Sequence, residues 1–197
     1  MATESYSNID RNKSSVVRSS EYDDIGTAGS SVSVVEKKAG VLRVTEITIE
    51  DTVILTTDGG ENKASGLLLY TLPDGVVNII NASMHVYLTG TTAHEDDTPE
   101  VALGTVVGSG ANATLGAVDS GCEDILGPYV MSGIEDDGTE GALNLSGGAG
   151  TTANNAVGKL FYTGDTRTIY LNIADTWAAT AGTVTANGKV YITWLAL

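Results

Sequence analysis

The chain has 197 residues, of which 25 are acidic and ten are basic, and its formal net charge is −15. Such an acidic chain is expected to be repelled by nucleic acid and by anionic membranes, because both bind clustered positive charge. The sequence has no run of about 18 apolar residues, so no membrane-spanning helix is predicted, and its length favours a single domain.

The first forty residues are polar and rich in serine, and Val16-Val17 is their only apolar pair before Ile25. This composition buries too little apolar surface to offset the entropy lost on ordering. We therefore expect residues 1–40 to form an extended N-terminal arm ahead of a folded body at 41–197, although a frayed terminus is the alternative. Half of all Lys and Arg residues fall in this arm: Arg11, Lys13, Arg18, Lys37 and Lys38.

Beyond residue 40, apolar and polar residues alternate with the two-residue period of strands that have one buried face. Parallel sheets give continuous apolar runs instead, so the sheets are predicted to be antiparallel. A change of phase at Thr45–Glu46 predicts a bulge or bend there. Strands are predicted, in chain order, at 41–45, 46–57, 67–72, 76–89, 101–107, 129–131, 157–163, 168–174 and 182–195.

Gly-containing pairs such as Asp74-Gly75 and Asn187-Gly188 predict tight turns, because these residues tolerate positive φ. One short helical turn is predicted after Ser120, since Ser120 and Glu123 have the spacing of a capping box and Gly127-Pro128 would end it. With long connections at 90–100 and 132–156, the pattern indicates an all-β protein, an antiparallel β-sandwich of jelly-roll type.

Few residues have the spacing that catalysis requires, and no catalytic residue, metal or cofactor is predicted. His85 falls on the polar face of its strand, where a hydrogen-bonding role is favoured over that of a base. The acidic run 94–100, which begins with His94, could bind Ca²⁺ through oxygen ligands or be simply solvated, and the sequence leaves both open. Cys122 is the only cysteine and cannot form an internal disulfide, which fits synthesis in a reducing cytoplasm.

The two tryptophans are candidates for stacking on sugars, but their positions differ. Trp194 falls on the apolar face of the last predicted strand, which favours packing in the core. Trp177 falls after a predicted strand, and its role is left open. Tyrosines on nominally polar faces indicate instead that the body self-associates: Tyr87, Tyr170 and Tyr191.

Three segments of the sequence are rich in Thr, Gly and β-branched residues. In chain order, they are 72–77 leading into 84–88, then 101–105, then 169–174 followed by 181–185 and 190–194. In these segments the chain resembles structural proteins encoded beside the major capsid proteins of tailed bacteriophages, in particular capsid decoration (cement) proteins. The resemblance implies a β-sandwich or jelly-roll body, frequently trimeric, that attaches where capsid subunits meet.

The function implied is that of a non-enzymatic virion protein, made in the host cytoplasm, that binds the outer surface of a phage capsid and stabilises it. The partner would be the major capsid protein, with neither nucleic acid nor membrane involved. We expect the arm to make the attachment through exposed basic side chains, namely Arg11, Lys13 and Arg18. The alternative is a carbohydrate-binding or host-attachment β-sandwich of a phage tail or fibre.

Overall fold

The computed structural model describes residues 26–91, 94, 96–131, 133–134, 142–147, 156–178 and 180–197. About 60% of these residues lie in strands and about 5% in helices. The ladders between the named strands are all antiparallel. The prediction of an all-β, antiparallel protein is therefore confirmed.

The described residues form eleven strands and two short helical turns. The strands are β1 (Thr27–Ala28), β2 (Val32–Ala39), β3 (Leu42–Thr57), β4 (Asn62–Thr71), β5 (Val77–Gly90), β6 (Glu100–Gly104), β7 (Leu126–Val130), β8 (Ala142–Gly147), β9 (Leu160–Phe161), β10 (Thr168–Thr176) and β11 (Gly182–Ala196). Between β6 and β7 lie the helix α1 (Leu115–Val118) and a 3-10 turn (Ser120–Cys122).

The strands form two sheets that pack face to face. The five-stranded sheet has the order β1-β4-β10-β6-β7, and the six-stranded sheet has the order β2-β3-β11-β5-β8, with β9 pairing on β5. One of the two is curled into a half-barrel. Successive strands from β3 to β6 alternate between the sheets, so each connection crosses the sandwich.

The core lies between the sheets because the long strands bury alternate side chains over much of their length. On β11, Val190, Ile192 and Trp194 are fully buried, and the residues between them are partly exposed. Leu171 and Ile173 of β10 meet them from the opposite sheet within one apolar cluster. Each such side chain contributes about 1.5–3 kcal/mol on burial, so the alternation both positions the strands and stabilises the fold.

The predicted phase change at Thr45–Glu46 is wrong, because β3 runs through this point with odd-numbered positions 43 to 49 all buried. Two of these buried positions, Arg43 and Thr45, are polar, and both side chains contact Trp194. The Arg43 guanidinium lies over the Trp194 ring, 5.8 Å from its centroid. The Thr45 Oγ1 accepts a hydrogen bond from Trp194 Nε1 at 2.9 Å. The indole thus allows polar side chains on a buried face, which the hydropathy pattern cannot indicate.

The irregularity in β3 falls instead at Asp51, which has a φ of 42°. Its N–H donates to Asn187 Oδ1 across the sheet at 2.8 Å. Asn187 and Gly188 lie in the middle of β11, at a register shift against β3. The tight turn predicted there is wrong, because the pair forms a bulge rather than a chain reversal.

The helical turn predicted after Ser120 is present, but its cap is the preceding residue. Asp119 Oδ1 accepts a hydrogen bond from the Gly121 N–H at 2.7 Å. Gly127-Pro128 lies inside β7 and so does not end the turn. No helix of the described residues is long and apolar enough to cross a membrane.

The predicted arm reaches into the sheets for part of its length. Residues 1–25 lie outside the described residues, whereas β1 pairs with β4 and β2 pairs with β3. Strand pairing therefore begins ahead of the predicted boundary at residue 41.

Candidate functional site

Three basic residues predicted to contact a partner lie outside the described residues: Arg11, Lys13 and Arg18. The chain that follows them is fixed to the edge of the five-stranded sheet. The Gly26 N–H donates to Tyr70 Oη at 2.9 Å, and a Cβ at position 26 would collide with the Thr71 carbonyl oxygen. The segment that precedes Gly26 therefore joins the body at a close-packed point on β4.

Behind this edge, the buried ring of Tyr70 lies close to Glu36 of the opposite sheet. Both Glu36 oxygens are buried beside the Tyr70 and Thr45 hydroxyls without reaching hydrogen-bond geometry. Burial raises the pKa of Glu36, and the neighbouring Arg43 charge offsets part of this. Burial, together with the Glu36 charge, also raises the pKa of Tyr70. A phenol held protonated in this way suits a structural link between the sheets better than acid–base chemistry.

His94 forms the second polar cluster, with hydrogen bonds on both ring nitrogens. Its Nδ1 lies 2.7 Å from Asp97 Oδ2, and its Nε2 lies 3.1 Å from Thr57 Oγ1. The ring also packs edge-on against Trp177, with centroids 5.5 Å apart.

This order of carboxylate, imidazole and hydroxyl is the one that activates a nucleophile in hydrolases. However, His94 is 0% exposed and Thr57 is 2% exposed, so a substrate has no access to the hydroxyl. Asp97 also accepts a hydrogen bond from the Ala178 N–H at 3.3 Å. The cluster therefore ties the loop after β5 to the ends of β3 and β10.

The third cluster is a pair of carboxylates beside α1. Glu100 of β6 accepts a hydrogen bond from the Leu115 N–H at 2.7 Å. Glu123 is 5% exposed, and its Oε2 has no hydrogen-bond partner. Burial and the Glu100 charge raise the pKa of Glu123, so the chemistry this pair offers is proton uptake.

The acidic run 94–100 does not gather into a cation site in the described part of the chain. His94 and Glu100 bond to Asp97 and to α1 respectively, and Asp96 is exposed. Among the described residues, no group of three or more His, Cys, Asp or Glu side chains is arranged to hold a metal ion.

Both tryptophans are buried, and each donates its indole N–H within the protein. Trp194 is 0% exposed, which confirms its predicted place in the core. Trp177 is 1% exposed and donates to the Lys63 carbonyl oxygen at 2.8 Å. Neither ring is free to stack on a sugar, so the sugar-stacking role considered for Trp177 is wrong.

The residues predicted on polar faces are not brought together into one surface. His85 is exposed on β5, as predicted, and pairs in register with Lys189. Tyr87 and Tyr191 are half-buried in the six-stranded sheet, whereas Tyr170 belongs to the five-stranded sheet.

No protein-family model, no curated protein and no solved structure matches this chain. Its function is therefore proposed from its residues, their geometry and the resemblance described above.

Sequence reasoning missed the partners of the buried polar residues. The pairing of His94 with Asp97 had one local signal, since the two are three residues apart. Thr57 lies 37 residues away from His94 in the chain, so no local pattern could indicate that contact.

Proposed function

We propose that this chain is a non-enzymatic structural protein of a phage virion, which binds the outer surface of the capsid as a homo-oligomer and stabilises the shell. Its partner would be the major capsid protein, and its place the virion surface after synthesis in the host cytoplasm. The observation that carries the proposal is the attachment of a polar N-terminal segment, which contains Arg11, Lys13 and Arg18, to a β-sandwich at Gly26. A polar segment that becomes ordered on a partner can cover a large area of the partner's surface with few residues.

A jelly-roll body is part of the proposal and is supported by the strand pairing. Eight strands pair in nested order along the chain, first with last: β3 with β11, β4 with β10, β5 with β8 and β6 with β7. This nesting is what results when one long antiparallel ribbon is rolled into two sheets, which is the arrangement of a jelly roll.

The charge distribution supports attachment through directed contacts. The chain carries −15 overall, so an acidic shell would repel it at long range unless local cations or backbone pairing intervene. Exposed ion pairs contribute only about 0.2–1 kcal/mol each, so the three basic residues of the arm cannot supply tight binding alone. Pairing of the arm with an edge strand of a capsid subunit would supply the remainder.

Co-sedimentation with purified capsids that lack this protein tests the proposal. Deleting residues 2–25 should weaken binding at least tenfold and leave the urea midpoint of unfolding unchanged, because Gly26 and its contacts are retained. Replacing Arg11, Lys13 and Arg18 together by Ala should give a smaller loss. The matched control replaces three body lysines by Ala: Lys38, Lys63 and Lys159.

If the unaltered chain does not sediment with capsids, the proposed function is wrong. If the truncated chain binds as tightly as the full chain, the arm has no part in attachment. The carbohydrate-binding alternative is weakened because both candidate tryptophans, Trp177 and Trp194, are buried. Saturable binding of a glycan would support that alternative again.

A further inference from the structure

The strand β2 is held more weakly than the strand beside it. It is an edge strand of the six-stranded sheet, where β3 is the one described strand that pairs with it. Each of its eight residues keeps part of its surface exposed, whereas β3 buries residues at alternate positions. Its apolar contacts with the core come from Val32 and Val34, which are only partly buried. Local opening of a protein begins in elements with few buried apolar contacts.

The next inward residue of β2 is an acid. Glu36 lies directly opposite Thr45 of β3, and residues directly opposite in an antiparallel pair share a face. Because Thr45 is fully buried, the Glu36 carboxylate points between the sheets as well. Both carboxylate oxygens are buried, and neither has a hydrogen-bond partner. A charge buried in this way costs free energy that pairing or hydrogen bonding would otherwise offset.

Positive charge reaches this carboxylate from β3. The Arg43 guanidinium acts on Glu36, but it also donates to the Gly40 carbonyl oxygen at 2.6 Å. It lies over the Trp194 ring as well, so its position is set by groups other than Glu36. On β2 itself, Lys38 is the following inward position, opposite Arg43, and is exposed. The positive charge nearby is therefore shared or solvated.

Two hydroxyls complete the surroundings of the carboxylate. Thr45 Oγ1 accepts from Trp194 Nε1, and Tyr70 Oη of the opposite sheet accepts from the Gly26 N–H. Both hydroxyls favour an ionised Glu36, as Arg43 does, but burial is the larger influence and raises the pKa of Glu36 above its ordinary 4.5. The protonated carboxyl is therefore the form that suits this position between the sheets.

The strand is joined to the sheet by a short exposed turn. Ala39 pairs with Leu42, so only Gly40 and Val41 lie between β2 and β3. Gly40 has a φ of 64°, and a Cβ built there would meet no atom within 4 Å, so the turn is not packed against the body. On the other side, β1 has two residues. Opening of β2 about this turn would release residues 1–39 together.

We propose that Glu36 is a proton-dependent switch for the N-terminal strands: its protonated form keeps β2 closed against the core, and its ionised form lets β2 open more often, together with β1. The stabilisation of the closed form is fully present below the ordinary pKa of a glutamate and is lost as the pH rises through the raised pKa of Glu36. This behaviour belongs to the fold itself and does not depend on what the chain binds.

Hydrogen–deuterium exchange of the full chain, read by mass spectrometry on peptides from β2, tests the switch. At pH 7.5, Glu36→Gln should slow exchange within β2 at least threefold, since half a unit of pKa shift corresponds to about threefold in an opening equilibrium. The ratio of the two chains, each measured at the same pH, should approach one as the pH falls from 8 to 5. Glu50→Gln removes the same charge from an exposed position on β3 and is the matched control.

Glu36→Leu separates loss of the charge from gain of an amide, and should slow exchange within β2 as Glu36→Gln does. The proposal is overturned if β2 exchanges equally fast in the unaltered chain and in Glu36→Gln at pH 7.5, or if only the Gln variant is slower. It is also overturned if β4 and β10 slow by the same factor as β2, because Glu36 then acts on the whole sandwich. A ratio that does not change with pH would show that no proton is involved, and would overturn it too.

Discussion

Replacing Asn172 tests most directly how the connection from β6 to β7 is held on the five-stranded sheet. Asn172 lies on β10 and is 0% exposed. Its Oδ1 accepts from the Gly108 N–H at 2.8 Å, and its Nδ2 donates to the carbonyl oxygens of Val106 and Cys122 at 2.9 and 2.8 Å. One amide thus holds two points of the connection that covers the five-stranded sheet.

The magnitude follows from what Asn172→Ala leaves behind. Three backbone groups lose their partner, and a buried polar group left unpaired costs about 1–3 kcal/mol. Allowing for relaxation and some water entry, we expect a loss of about 3–5 kcal/mol in the free energy of unfolding. A domain of this size typically has about 5–15 kcal/mol in total, so the variant should fold but unfold at much lower urea concentration.

Equilibrium unfolding in urea, followed by fluorescence of the buried tryptophans, measures this loss. Asn172→Asp keeps an acceptor for Gly108 but turns a carboxylate towards two carbonyl oxygens. It should therefore be at least as damaging at pH 7 and should partly recover as the pH falls. Asn81→Ala, an exposed position on β5, is the control and should cost under about 0.5 kcal/mol. A loss below about 1 kcal/mol for Asn172→Ala would refute the reasoning.

Two further predictions concern buried titratable groups. Burial and the Glu100 charge raise the pKa of Glu123 above its ordinary 4.5, so the folded state is penalised at neutral pH while Glu123 is ionised. Glu123→Gln should therefore raise the urea midpoint of unfolding at pH 7. This gain in stability should shrink as the pH falls through the raised pKa, because the native carboxyl then binds its proton. A variant that is less stable than the unaltered chain at pH 7 would contradict this. Burial also raises the pKa of the Cys122 thiol to about 11. At pH 8, a thiol reagent should therefore react with Cys122 only as fast as the protein opens. Reaction at the rate of the denatured chain would show an accessible thiolate and contradict this.

The sequence predicts the strands with strict alternation and fails where a polar residue is buried. The sequence does predict that Asn172 points away from the core between the sheets, because its neighbours on β10, Leu171 and Ile173, are apolar and side chains alternate along a strand. The partners of Asn172 do not follow, because they lie 50 to 66 residues away. On β3, burial of Arg43 and Thr45 depends on Trp194, 149 residues beyond Thr45.

Strands at or near a sheet edge give a second reason why the sequence did not predict some strands. The strand β8 was not predicted and lies within the predicted connection 132–156, because in its sequence only two leucines alternate with Asn144 and Ser146. In the same way, β2 falls in the predicted arm, because its inward positions include Glu36. Edge strands bury less side-chain surface, and their pairing is supplied by the neighbouring strand rather than by their own pattern.

The proposed attachment through the N-terminal segment makes a last prediction. From Gly26 the chain passes through β1, an edge strand of the five-stranded sheet, into β2, an edge strand of the six-stranded sheet. The 25 residues before Gly26 have a maximum extended length of about 85 Å, so under the proposed function this segment is long enough to reach a neighbouring subunit as well as the one nearest the body. Two contacts on one shell reinforce each other, because the second forms at high effective concentration once the first is made. Deleting residues 2–25 should therefore weaken co-sedimentation with capsids by more than the ion pairs of Arg11, Lys13 and Arg18 suggest; a loss no larger than that of the triple Ala variant would contradict this.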